Sequence, residues 1–249
     1  MNTTDISSSH SSPSTPVVVI TGANKGLGLE TARRLGELGW RVWLGARDAT
    51  RGRTATDSLT REGIQATWLP LDVTSDDSVA EAVAIVADRD GHLDVLVNNA
   101  GIGGRVVGPA DTVAADFLPV YGVNVLGPVR TTGAFLPLLR AAERPRVVMV
   151  SSGMGSFGVT TDPDRLESTI HALVYPSSKA ALNMITTQYA KALPGITFTA
   201  VDPGYTATDL NGHSGHQTVT EGTDAIVTAV TATDQASGWF LDRAGAIPW

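Results

Sequence analysis

Hydrophobic positions along the chain follow two alternating patterns. Short, nearly unbroken runs rich in β-branched and aromatic residues, at 17–21, 41–46, 66–71, 95–98, 146–151, 197–201 and 239–241, predict strands. Between them, 27–38, 49–62, 75–90, 112–142, 176–192 and 220–232 carry helical spacing or composition. A strand that is apolar at every position is buried on both faces. Strand–helix alternation built on such runs predicts a parallel sheet with helices on each side. The expected fold is α/β, a doubly wound sheet of about seven parallel strands with helices on both faces. It forms a single domain over residues 16–249, with no internal repeat or linker. Residues 1–15 are rich in Ser and Thr and nearly devoid of apolar side chains, which predicts a disordered leader.

Composition narrows the function classes. At 249 residues, 42% hydrophobic and 17% charged, the chain can bury a substantial core. Eighteen Lys and Arg against 25 Asp and Glu give a net charge of −7, and no basic stripe marks a nucleic-acid surface. Cysteine is absent. That excludes disulfides, thiolate zinc sites and cysteine nucleophiles, and it suits a reducing cytoplasm, the expected location. No apolar window approaches a membrane span, and no signal-like segment with a basic flank is seen, so no membrane partner is expected. His213 and His216 lie three apart in a Gly-rich loop without further ligands, which reads as a mobile lid; no metal site is expected. Trp40, Trp43 and Trp68 read as packing residues, and His92 and His171 as surface positions.

Two motifs carry chemistry. Thr21-Gly22-Ala23-Asn24-Lys25-Gly26-Leu27-Gly28 follows the first strand and opens a helix. Glycines there let the backbone turn tightly and approach a pyrophosphate seated on the helix N-terminus; taken alone, the motif could also be a plain βα turn. Tyr175-Pro176-Ser177-Ser178-Lys179 places a phenol and an ammonium on one helix face. A free phenol titrates near ~10, and a nearby ammonium favours the phenolate, which lowers that value towards the working range.

The glycine spacing, Asp72, the Asn98-Asn99-Ala100-Gly101 block, Asn124, the Ser152/Tyr175/Lys179 set and Pro203-Gly204 occur in one order along the chain. Together they resemble the short-chain dehydrogenase/reductase family in its compact form, from Val17 to near the C-terminus. Asn24-Lys25-Gly26, Ala46-Arg47-Asp48 and Thr50-Arg51-Gly52 are similar to its carbonyl-reductase branch. The resemblance implies a Rossmann-type sheet and a nicotinamide cofactor. Gly22, Asn24, Lys25, Gly26, Leu27 and Gly28 would form the phosphate cradle. Arg47 stands where an NAD site has an acid; with Lys25 it would clamp a 2′-phosphate, which favours NADPH/NADP+. Asp48, one residue on, would instead suit a free ribose.

By the same resemblance, Asp72 would bond the adenine amino group, with Val73 packing beside it, although an Asp there could also cap the next helix. Asn99, Ala100 and Gly101 would line the adenosine ribose. Pro203, Gly204, Tyr205, Thr206 and Thr208 would seat the carboxamide and pyrophosphate. Ser152 would orient the substrate oxygen, with Ser151 the structural alternative. Tyr175 would donate the proton, Lys179 would also hold the nicotinamide ribose, and Asn124 would hold a water leading to the lysine. The implied activity is NADPH-dependent reduction of a small-molecule ketone or aldehyde. NAD(P)-dependent alcohol oxidation and a catalytically silent dinucleotide sensor are the alternatives. The stretch from Ser152 to Tyr175 is longer than in many compact members. The extra segment, near 157–174, would wall the substrate pocket or cover a helix used for assembly, so a monomer is expected ahead of a homodimer.

Overall fold

The computed structural model describes residues 15–249, residue 235 excepted; all but the last position of the expected leader lies outside it. Seven parallel strands run β1 (Val17–Ile20), β2 (Arg41–Ala46), β3 (Ala66–Pro70), β4 (Val95–Asn98), β5 (Arg146–Val150), β6 (Thr197–Val201) and β7 (Trp239–Asp242). A two-residue β8 (Gly245–Ala246) adds an antiparallel edge, so the sheet order is β3-β2-β1-β4-β5-β6-β7-β8. Val18 pairs with Val42 on one side and Val95 on the other. The strand order reverses at β1, and this opens a crevice beyond the carboxyl ends of the central strands.

The unbroken apolar runs are explained by two cores, one on each face. Val18 and Ile20 enter the first, against Ala32 and Leu35 of α1 (Gly26–Glu37). Val17 and Val19 enter the second, with Phe135, Leu139 and Leu182. Burying each such side chain stabilises the fold by about 1.5–3 kcal/mol. Trp43 is buried in the second core and donates to Asp90 at 2.7 Å, while Trp40 and Trp68 pack against the first. His171 is exposed and His92 half-buried.

Local chemistry sets the helix starts. Asp48 accepts from the Arg51 N–H at 2.9 Å to cap α2 (Ala49–Arg61), and Ser75 accepts from Ser78 at 3.2 Å to cap α3 (Asp76–Asp90). The expected 112–142 helix is interrupted. Two 3₁₀ turns, Pro109–Asp111 and Ala114–Asp116, precede α4 (Phe117–Tyr121), a π-helical turn Gly122–Leu126, and α5 (Gly127–Arg140). The segment after β5 holds α6 (Phe157–Thr160) and a 3₁₀ turn Leu166–Thr169. The C-terminus ties this segment down: the Pro248 carbonyl accepts from the Ser156 hydroxyl at 2.7 Å and the Trp249 carbonyl from Gly158 N–H at 3.1 Å, with Trp249 stacked on Phe240. Helix α7 (Val174–Ala192) starts two residues earlier than expected, and 220–232 divides into α8 (Val219–Gly222) and α9 (Asp224–Thr231). Among the described residues, no helix is long and apolar enough to cross a membrane, and no group of three His, Asp or Glu could hold a metal.

Candidate active site

The crevice has a nucleotide end and a reacting end. At the first, α1 opens at Gly26 with Lys25 as its N-cap, without a side-chain cap and without an acid in its first turn. Its leading N–H groups are left for an external anion. Gly22 and Gly26 have φ of +63° and +54°, the left-handed region that glycine adopts without strain. A Cβ on Gly22 would lie 2.9 Å from Ala100 Cα, and one on Gly28 would lie 2.5 Å from Asn99 Nδ2. The turn is pinned to β4: Asn99 donates to the carbonyls of Thr21 and Gly22 at 2.8 and 3.1 Å, and the Thr21 hydroxyl accepts from Ala100 N–H. Uncapped helix, close-packed glycines and fixed turn together fit a dinucleotide pyrophosphate.

Arg47 is exposed just past β2, and among the described residues it makes no hydrogen bond. Its charge reaches Asp72. Partial burial pushes that carboxyl up, but the Thr74 hydroxyl and N–H and the charges of Arg47 and Arg130 outweigh it and hold the group below its ordinary value. Asp72 accepts from Thr74 N and Oγ1 at 2.9 and 2.7 Å, and the next helix is capped by Ser75 instead. Val73 lies in the second core, and Leu27 packs against the first. Lys25 forms an ion pair with Asp209, which also lies 2.8 Å from His213 Nε2. That ion pair closes the segment after β6 over the glycine turn, where Thr208 approaches Gly26. The 211–217 loop read as a lid is also bound to the residues just before it. Tyr205 Oη and Ser214 Oγ lie 2.6 Å apart, and Ala207 N–H donates to the Gln217 carbonyl at 2.9 Å.

At the reacting end, Ser152 follows β5 with its Oγ accepting from Met154 N–H at 3.2 Å, and Tyr175 stands in the first turn of α7. Ser151 is buried and donates to Asn183 Oδ1 at 2.5 Å, a structural contact. Lys179 is 4% exposed; its Nζ donates to the Val150 carbonyl at 2.8 Å and lies 5.5 Å from the centroid of the Tyr175 ring. Burial drives the ammonium down to about 8, partly offset by the negative charge of Asp202. Tyr175 departs from the expectation of a lowered phenol. Burial first, and the Asp202 charge second, push it well above its ordinary value, and the Ser152 hydrogen bond only partly offsets them. In the protein alone, the cost of burying a phenolate exceeds any help from the lysine.

Asn124 is fully buried in the π turn. Its Oδ1 accepts from Ile102 N–H at 2.9 Å, and its Nδ2 donates to the Ile102 carbonyl and Ser178 Oγ at 3.0 and 3.1 Å. The extra backbone residue of the π turn aims this amide across at the segment after β4. A Cβ on Gly101 would lie 3.5 Å from Asn124 Oδ1 and 3.7 Å from Lys179 Nζ, so these three positions meet at one point. Sequence reasoning missed Asp202, Asp209 and Glu167. For Asp202 the available signal was an acid at a strand end, directly before Pro203-Gly204.

The model of the family described as short chain dehydrogenase matches residues 16–218. The chain belongs to this family of nicotinamide-dependent oxidoreductases, and the crevice geometry is consistent with that membership. It is 36% identical over 224 residues to a short-chain dehydrogenase of Penicillium roqueforti, covering 87% of this chain and 88% of the relative. It is 32% identical to (+)-neomenthol dehydrogenase of Arabidopsis thaliana, over 90% of this chain and 95% of the relative. The fold superposes on an NADPH-bound carbonyl reductase from chicken fatty liver with a TM-score of 0.84 and 30% identity, covering 94% and 99% of the two chains.

Proposed function

We propose that this protein reduces the carbonyl group of a moderately apolar small molecule to an alcohol with NADPH, acting in the cytoplasm as a monomer. The observation that carries the reading is Tyr175 in the first turn of α7 with the buried Lys179 Nζ 5.5 Å from its ring centroid, and with Ser152 at the carboxyl edge of β5. The bound nicotinamide would supply the hydride. Gly22, Asn24, Gly26 and Gly28 present backbone to the pyrophosphate, Arg47 and Lys25 offer cations to the 2′-phosphate, and Asp72 offers an acceptor to the adenine. Asn99, Ala100, Gly101, Pro203, Gly204, Tyr205, Thr206 and Thr208 shape the remaining wall. Ser152 holds the substrate oxygen next to the Tyr175 hydroxyl, which gives up its proton as the alcohol forms. Lys179 steadies the phenol and the ribose, and Asn124 holds the Ile102 backbone at the cleft floor. Turnover of a panel of ketones, aldehydes and quinones, followed by NADPH and NADH absorbance, tests this reading. Reduction with NADPH is expected. Tight nucleotide binding without reduction of any panel member overturns it in favour of a sensor.

A further inference from the structure

Two glycines, Gly103 and Gly104, follow Ile102 on the segment after β4, and they are there for different reasons. Gly104 has φ of +78°, and a Cβ on it would lie 2.7 Å from Val120 Cγ2, so backbone and packing both require glycine. At Gly103 φ lies outside the left-handed region. A Cβ there would meet its nearest neighbours, the Leu210 carbonyl oxygen and Cδ1, at 3.7 and 4.0 Å, which are ordinary van der Waals distances. Neither conformation nor crowding requires glycine at 103. The missing side chain is open space beside Leu210.

That space lies at the reacting end. A Cβ on Gly101 would stand 3.7 Å from Lys179 Nζ, and Gly103 is two residues on, within about 7 Å of chain. In the sheet, β5 lies between β4 and β6. Leu210 follows β6 and Gly103 follows β4, so their contact spans the carboxyl end of β5, where Ser152 stands. The two sides of the contact differ in how they are held. On one, Asn124 fixes both the N–H and the carbonyl of Ile102, at 2.9 and 3.0 Å. On the other, Leu210 is the middle residue of the 3₁₀ turn Asp209–Asn211. That turn is anchored at its ends, by the Lys25–Asp209 ion pair and by Asn211 Nδ2, which donates to the Thr206 carbonyl at 2.9 Å. Leu210 itself is 49% exposed and rests on Gly103.

We propose that Gly103 and Leu210 set the size of the carbonyl compound the site admits. This role rests on the reduction reading above. The space at Gly103 takes the bulkier, apolar substituent of the substrate, which lies on the fixed Ile102–Gly103 backbone and moves the Leu210 side chain off its seat. Ile102 and Leu210, both partly exposed, then bury apolar surface against that substituent. Ring-bearing ketones are favoured over small aliphatic ones. A side chain at 103 takes the room away, and a smaller one at 210 returns it.

Kinetics and binding with two probes, acetophenone and butanone, test the proposal. Gly103→Val should lower kcat/KM for acetophenone at least about tenfold and for butanone less than about twofold, with NADP+ affinity unchanged. Adding Leu210→Ala to Gly103→Val should recover about threefold or more of the acetophenone loss, a rescue that damage to the fold would not allow. Should Gly103→Val not fold, Gly103→Ala, whose Cβ makes only ordinary contacts, should shift the same ratio in the same direction by about threefold. Calorimetric binding of both ketones to the NADP+-saturated wild-type and variant proteins reads the ratio without turnover. Equal effects on the two ketones, or none, in both kinetics and binding overturn the proposal, as does a wild-type site that binds neither. A shifted binding ratio with no reduction of either ketone counts against the proposed reaction and leaves the size filter standing.

Discussion

The two ends of the crevice are built from opposite materials. Around the glycine turn the charges, Arg47, Lys25 and Asp209, are exposed, and anion affinity rests on backbone N–H groups and a helix end. Around Tyr175 the charges, Lys179 and Asp202, are buried and are held by named backbone contacts. Exposed charges act through a screened medium and fade with salt, whereas buried ones act on each other's protonation. One end should therefore respond to ionic strength and the other to pH.

The largest expected effect lies at the buried end. Tyr175→Phe should cut turnover by about 10²–10⁴-fold at every salt concentration, with NADPH affinity changed less than about threefold. Steady-state kinetics beside fluorescence titration would show it, and near-normal turnover would remove the phenol from proton transfer. Next comes the exposed end. Arg47→Asp should weaken NADPH by about 10–100-fold while leaving NADH nearly unchanged, and the gap should narrow as salt rises. Equal losses for both nucleotides would place the 2′-phosphate elsewhere.

A third effect is read as stability. The folded Lys179 titrates at about 8, below the 10.5 of an unperturbed lysine. Between those values the unfolded chain binds more protons, so stability rises with pH; below 8 both forms are charged and the cost of burying the ammonium is fully present. Urea unfolding should show a gain of about 2 kcal/mol across that window up to pH 10; above it the raised Tyr175 phenol opposes the gain, because it ionises first in the unfolded chain and stability then falls as pH rises. A flat or falling profile from pH 8 to 10 would mean that Lys179 is better solvated than its 4% exposure implies. The smallest effect is Asp209→Asn, which frees Lys25. NADPH should bind less than about threefold more tightly, and only at low salt.

The parallel sheet was legible because burial on both faces leaves strands such as Val95–Asn98 and Arg146–Val150 almost without polar interruptions. The glycine turn and the Tyr175/Lys179 pair were legible because each is local in sequence. What stayed hidden depends on contacts across the chain. Gly122-Val123-Asn124-Val125-Leu126 reads as ordinary helix, and the π turn appears only when Asn124 reaches Ile102, 22 positions away. Asp202 reads as a strand end before a Pro-Gly turn; nothing nearby announces that Gly153 and Glu167 come together beside it. The raised Tyr175 phenol was hidden for the same reason, because burial and a distant acid decide it. The short β8 was missed because two residues carry no periodicity.

The tie between the last two residues and the segment after β5 has a consequence for anyone handling the protein. The carbonyls of Pro248 and Trp249 hold Ser156 and Gly158, next to the loop that carries Ser152. Proteolysis that removes residues 248 and 249 would remove those anchors. A partly trimmed batch would keep its sheet and its nucleotide affinity, yet it would present a slackened wall beside the reacting carbonyl. Two preparations differing by two residues could then rank the same ketones in different order, and intact mass spectrometry of each batch would reveal why.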